Sequence, residues 1–303
     1  MNEKPLLYGV LPVLHTPYHD DETVDFDMLA REVDFVIDNG ADGVVLALGS
    51  EFMSLKKEER LELTFEVPQM VNGRCTVTVS VGAKTPVQVV NFAVAAQKAG
   101  ADAVMALPPQ KVYTGDIHIY DYFKAILGAV DLPLVIQNAS IFTGKPMGLN
   151  LQVRLRQEFG DRIYFKPETV PVGSSLSQLK KALGNEVVVF GGHGGLYLID
   201  TYRRGISGLM PGSDLIRGTV EIWRALEAGD FDRAYEVYLP LAAIVTLEAQ
   251  SFDIFIASAK YLLCRQGVLK NHNLRKPVKH YLDNDTINEL ARLFDMLIAA
   301  IDG

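Results

Sequence analysis

The sequence predicts an α/β chain, a (β/α)8 TIM barrel over residues 1–228 with extra C-terminal helices, the extension 229–303, packed on it. Three observations predict it. Short runs that are apolar throughout alternate with longer runs that are apolar at helical spacing, as parallel strands buried on both faces do between helices. About eight such units fit ahead of a helix-rich tail, the number a closed barrel needs. The first strand ends in HTPYHDDE rather than in the Gly-rich phosphate turn of an open doubly wound sheet.

In order, GVLPVLHTP (9–17) reads as a strand ending in a turn, and 26–40 as a helix with a terminal Gly as C-cap signal. DGVVLAL (42–48) is a strand, 56–73 mainly helix, and the β-branched CTVTVSVG (75–82) a strand. Residues 85–100 form a helix with Thr85 at the N-cap. Strands follow at 101–109, 132–138, 162–166, 186–192 and 206–210, with helices at 116–130, 150–159, 173–184 and 196–205 between them. NGADGVVLAL (39–48) and AGADAVMALP (99–108) share one design, a Gly-ended helix turned by Ala-Asp into a buried strand, and RGISGLMPG (204–212) is a shorter version. Helices near 214–228, 230–248, 251–267 and 284–301 complete the chain, the first of them closing the barrel.

Composition narrows the function. At 303 residues, 49% hydrophobic and 22% charged, the chain is globular rather than disordered. Its 37 acids against 29 bases, net charge −8, argue against nucleic acid and anionic membrane surfaces as partners. An anionic substrate stays open, since a site needs only a local field. Cys75 and Cys264 are far apart and read as reduced, buried thiols. No signal peptide and no apolar run of about 18 residues is evident, so a cytoplasmic protein is the expectation.

Barrel chemistry sits at the C-terminal strand ends, which shortens the search. Three lysines fall there: Lys84, Lys111 and Lys166. Lys84 and Lys111 follow Gly or Pro in loops, where a solvated lysine is the ordinary outcome. Lys166 follows Ile163-Tyr164-Phe165 directly and is still on its strand. Apolar walls disfavour its charged form, and a neutral amine attacks ketones. The competing structural reading pairs it with Glu168 at the rim. Gln137 and Asn138 end another buried strand; they orient a substrate or water, or else cap the next loop. The Gly49-Ser50 turn offers backbone N–H groups and a hydroxyl to a carboxylate, or is an ordinary turn with Glu51 supporting the loop. GGHGG (191–195) lacks phosphate-fingerprint spacing; Gly192 allows close backbone approach and His193 exchanges a proton or is structural. His15, His19 and Asp20-Asp21-Glu22 read as a solvated loop, without metal-ligand spacing.

These segments together resemble the dihydrodipicolinate synthase and N-acetylneuraminate lyase superfamily of class I Schiff-base barrels. The resemblance runs from GVLPVLHTPYHDDETVDFDML through LGSEFMSLKKEER, ADAVMALPP, LPLVIQNASIFTG and YFKPE to AGDFDRAYEVYLPL in the tail. It implies that Lys166 forms an imine with a 2-keto acid, with no metal or organic cofactor, in a homotetramer or dimer of dimers. The family's relay tyrosine near the imine corresponds to Gln137, a second tyrosine to Gln110 or its neighbours, and the tandem threonines to Leu48 and Gly49, leaving Ser50 as the nearby hydroxyl. These departures argue against a dihydrodipicolinate synthase or a sialic acid lyase. Leu107-Pro108-Pro109, Ile136-Gln137-Asn138 and Tyr164-Phe165-Lys166-Pro167-Glu168 look closer to the sugar-acid branch of the 2-keto-3-deoxy-L-arabinonate dehydratase kind.

The resemblance implies a dehydratase of a 2-keto-3-deoxy sugar acid. Lys166, Gln137 and Glu168 would be catalytic, and Gly49, Ser50, Asn138, Gly192 and His193 would bind substrate. The alternatives are an aldolase using the same imine and a noncatalytic keto-acid-binding barrel.

Overall fold

The computed structural model describes residues 6–109 and 115–303. Among these residues, eight parallel strands alternate with helices as expected. They are β1 (Gly9–Val10), β2 (Gly43–Leu46), β3 (Thr76–Ser80), β4 (Ala103–Ala106), β5 (Leu134–Asn138), β6 (Ile163–Pro167), β7 (Phe190–Gly191) and β8 (Gly208–Leu209). The helices between them are α1 (Phe26–Asp38), α2 (Lys57–Val71), α3 (Pro86–Lys98), α4 (Asp116–Ala129), the short α5 (Ser140–Thr143), α6 (Leu149–Phe159), α7 (Val172–Leu183) and α8 (Leu198–Arg203). The tail is α9 (Ile216–Ala228), α10 (Phe231–Glu248), α11 (Phe252–Arg265) and α12 (Asn284–Asp302).

Strands β2 to β6 pair in sequence order, and β8 lies between β1 and β7. Single bridges from Val13 to Val45 and from Phe165 to Val189 join the two groups and close the barrel. The first strand is shorter than the predicted 9–17 because Pro12 has no amide to give the ladder. Its extended course persists, with Leu11 and Val13 donating to Leu209 and Pro211.

Alternation along the strands separates two apolar layers. Leu11, Val13, Val45, Ala47, Met105, Val135, Tyr164 and Phe190 fill the barrel interior. Val44, Leu46, Val104, Ile136, Ile163 and Phe165 face the helices. The repeated Ala-Asp step has a physical explanation here. Asp42 accepts the Val10 amide at 2.8 Å and Asp102 the Val77 amide at 2.7 Å, so each carboxylate ties its strand to the start of the one before it. Thr85 caps α3 through the Gln88 amide as predicted, and Asp25, Asp230, Ser251 and Asp283 cap α1, α10, α11 and α12.

The tail packs α10 against α9 and α12. Among the described residues, no helix is long and apolar enough to cross a membrane. Cys75 and Cys264 are free as expected but half-buried rather than buried, and burial pushes each thiol up to about 11.

Candidate active site

Inward alternation on β6 places Tyr164 and then Lys166 inside the barrel, with Lys166 4% exposed at the strand's C-terminal end. Gln137 is the direct register partner of Lys166 on β5, so the two side chains rise side by side. Glu168 lies just beyond β6. Its amide donates to the Asn138 carbonyl at 2.9 Å, which continues the pairing and keeps its carboxylate over the barrel mouth.

That carboxylate is the hub. Oε1 lies 3.3 Å from Lys166 Nζ and accepts the His193 amide at 3.1 Å; Oε2 accepts from Gln137 Nε2 at 2.5 Å. A carboxylate only accepts here, so the Gln137 amide nitrogen must face it. Burial pushes the Glu168 carboxyl up, but the Lys166 charge, His193 and the bonds from Gln137 and the His193 amide outweigh it. Its pKa is therefore held below the ordinary value, and the group is a carboxylate at neutral pH. Burial also pushes His193 down, opposed by Glu168 and reinforced by Lys166, so the imidazole is neutral at pH 7. Gln137 Oε1 and His193 Nδ1 are buried without a hydrogen-bond partner among the described residues, which leaves both open to a ligand.

The Gly-rich run has a packing reason. A Cβ on Gly192 would lie 2.0 Å from Glu168 Oε1, so only glycine lets the carboxylate reach its position. His193 follows in the left-handed region at φ 53°.

The second predicted feature, Gly49-Ser50, is a 3-10 turn over Leu48–Ser50 after β2. Ser50 Oγ donates to the Leu14 carbonyl at 2.5 Å and accepts the Ala47 amide at 3.0 Å. The hydroxyl therefore holds the turn together, and the turn's donors are its first amides, Leu48 and Gly49, which have no acceptor within it. A Cβ at Gly49 would stand 2.9 Å from Val13 Cγ1 and 3.5 Å from Phe255 Cε1. Glu51, at φ 58°, ends the turn and pairs with Lys260 Nζ at 2.7 Å.

Asn138 does not join this group. Its amide exchanges two hydrogen bonds with the Met147 backbone, at 2.8 and 3.1 Å, which fits the loop-capping reading. Lys84 is exposed, as expected of a loop lysine; Gln110 and Lys111 lie outside the described residues. A cavity of about 810 Å³ flanks the mouth and is lined by Leu48, Ser80, Lys84, Leu107 and Arg60 rather than by Lys166. Arg60 lies there between the Phe52 and Phe92 rings, at 4.8 and 4.1 Å.

The polar cluster near the first strand divides. His19, Asp20 and Asp21 are exposed, but His15 is fully buried, which corrects its reading as part of a solvated loop. The reason is parity: Leu11 and Val13 face inward, and His15 is next in that series. Lys260, absent from the residues singled out above, falls at helical spacing with Ile256, Ala259 and Leu263 on the buried face of α11. No metal-binding cluster of His, Cys, Asp and Glu occurs among the described residues.

Comparison with known proteins agrees with this architecture. The profile of the dihydrodipicolinate synthetase family matches residues 6–296. L-2-keto-3-deoxyarabonate dehydratase of Azospirillum brasilense is 30% identical over 302 residues, covering 96% of this chain and 95% of the relative. The probable 2-dehydro-3-deoxy-D-pentonate aldolase YjhH of Escherichia coli is 28% identical over 261 residues, covering 84% and 85%. The crystal structure of dihydrodipicolinate synthase from Rhodopseudomonas palustris superposes with a TM-score of 0.88 at 25% identity, covering 97% and 99%.

Proposed function

The chain belongs to the dihydrodipicolinate synthetase family of lyases, and on that premise we propose that it is a hydro-lyase forming an imine between Lys166 and a 2-keto-3-deoxy sugar acid. The observation that carries the reading is the Lys166–Glu168 pair at 3.3 Å, with Gln137 on the same carboxylate. An amine and a carboxylate in contact inside an apolar barrel end allow proton exchange at the reacting atom.

In this mechanism the Lys166 amine attacks the C2 ketone and water leaves, giving a protonated imine. The imine draws electrons from C3, and Glu168 takes a C3 proton to give the enamine. The enamine electrons expel the C4 hydroxyl, which leaves as water with a returned proton. Hydrolysis of the imine frees product and Lys166. Gln137 Oε1 accepts from a substrate hydroxyl, His193 borders the same space, and Gly192 keeps Glu168 in reach. The Leu48 and Gly49 amides, in a turn closed by Ser50, hold the substrate carboxylate. Asn138 enters as support for the loop after β5. The imine is the electron sink, so the scheme calls on no metal or organic cofactor.

An aldolase would break C3–C4 and needs a base on the C4 hydroxyl. Gln137, an amide at the position beside the lysine, cannot serve as one, so that route would have to draw on Glu168, which dehydration uses at C3. A panel of 2-keto-3-deoxy acids tests the proposal: water loss without aldehyde release is expected, and release of pyruvate with an aldehyde would overturn it. A homotetramer is part of the same reading, and a monomeric mass by light scattering would remove it.

A further inference from the structure

We propose that His15 is a positioning residue for the Leu48–Ser50 turn, oriented by a buried acid pair, Asp214 and Glu248, from beyond β8 and from α10. The inference rests on the reading of that turn as the holder of the substrate carboxylate.

His15 Nδ1 lies 3.1 Å from the Gly49 carbonyl oxygen. A carbonyl only accepts, so Nδ1 carries the proton in this contact. The other nitrogen, Nε2, then faces Asp214 Oδ1 at 3.8 Å and has no hydrogen-bond partner among the described residues. Asp214 and Glu248 are each 1% exposed. Burial first, then the neighbouring Asp214 carboxylate, pushes the Glu248 carboxyl well above its ordinary value. On the opposite side, buried Glu32 accepts the His15 amide at 2.8 Å and the Ser213 hydroxyl at 2.6 Å. The Phe255 ring backs the imidazole at 5.7 Å. The imidazole is therefore held by its Gly49 contact and the Phe255 ring, while Glu32 holds the His15 backbone.

Its one protein hydrogen bond goes to the turn. Thr16 Oγ1 donates to the next carbonyl, Ser50, at 2.6 Å. Two successive carbonyls of the turn are thus anchored toward the end of the first strand. Carbonyls and amides point in opposite directions in a helical turn, so this anchoring aims the Leu48 and Gly49 amides the other way. Four buried ionisable groups, His15, Glu32, Asp214 and Glu248, sit behind this arrangement. Apolar side chains would fill that space at less energetic cost, so a fold needing only a packed core has no reason to keep them.

The test uses pyruvate, which presents the carboxylate and the ketone of any 2-keto acid, with the full-length chain. Calorimetry measures pyruvate affinity, and borohydride capture at Lys166 is followed separately by mass spectrometry. His15→Leu is expected to weaken pyruvate binding about tenfold, the upper range of one hydrogen bond's net worth. His15→Asn, whose side-chain amide still donates to the Gly49 carbonyl, is expected to recover most of it at a similarly lowered Tm. Equal loss in both variants, or no loss in either, would overturn the inference. If His15→Leu does not fold, Asp214→Asn replaces it, with about threefold weaker binding expected for a partial loss of orientation and unchanged affinity overturning the idea. Failure of the imine reading looks different: no borohydride capture in the unaltered protein, whatever the His15 variants do to affinity.

Discussion

Gln137 stands opposite Lys166 on the neighbouring strand, and both side chains reach the same Glu168 carboxylate, the amide at 2.5 Å and the amine at 3.3 Å. The amide fills the place beside the amine with a group that donates and accepts but does not titrate. On the proposed mechanism, such a site has one carboxylate to move protons and one lysine to carry the substrate.

Replacement of Lys166 by Ala is expected to abolish turnover and borohydride capture. Glu168 keeps its bonds from Gln137 and the His193 amide, so the fold should survive. Turnover assays with circular dichroism check this, and retained activity would remove Lys166 from the mechanism.

Glu168→Gln separates imine formation from proton transfer. Loss of a positioned acid–base group should lower kcat by about 10²- to 10⁴-fold. Capture of pyruvate at Lys166 should persist, since the amine remains. A variant with full kcat would move the proton to another group.

The acid limb of kcat/KM should lie below the ordinary carboxylate value, because Glu168 is held down and stays charged as pH falls. Gln137→Leu removes a hydrogen bond that favours the charged form, so the limb should shift upward. An unshifted profile would mean that Glu168 does not limit the reaction.

Lys260 and Glu51 form an ion pair with side-chain exposures of 1% and 7%. Lys260→Met leaves a buried carboxylate unpaired and should cost about 3–5 kcal/mol of stability. Adding Glu51→Gln should restore part of it. Denaturant titrations of both variants measure the difference, and additive losses would contradict the pairing.

Glu248 contributes a pH dependence of opposite sign to that of Glu168. Its carboxyl is raised in the folded protein, so the fold holds a proton that the unfolded chain gives up. This contribution is fully present below the usual Glu value and is lost as pH rises through the folded one. Glu248→Gln should therefore gain Tm relative to the unaltered protein at pH 8 and less at pH 5. Parallel Tm curves would show that Glu248 keeps no proton.

Much of this was legible in the sequence because period and position are local signals. Continuous apolar runs located the strands, and Lys166 without a spacer after Phe165 placed the amine on one. The convergence of Gln137, Glu168 and His193 followed from strand ends meeting at one rim. What was not legible depends on parity and distance. His15 looked like part of a polar turn because Thr16-Pro17 follows it, whereas inward alternation from Leu11 and Val13 buries it. Asn138 reads as a substrate ligand until the chain returns at Met147 to occupy both ends of its amide. Ser50 offers a hydroxyl on paper, but Leu14 and Ala47 consume it.

Glu51 and its partner Lys260 are separated by 209 positions. Every proposed site residue, from Gly49 to His193, is therefore synthesised before the cation that neutralises Glu51. Without α11 the Glu51 carboxylate would have no Lys260 to neutralise it. The rim of the barrel is thus completed by a residue of the helical tail, and the turn after β2 has its Glu51 pairing only once α11 is in place.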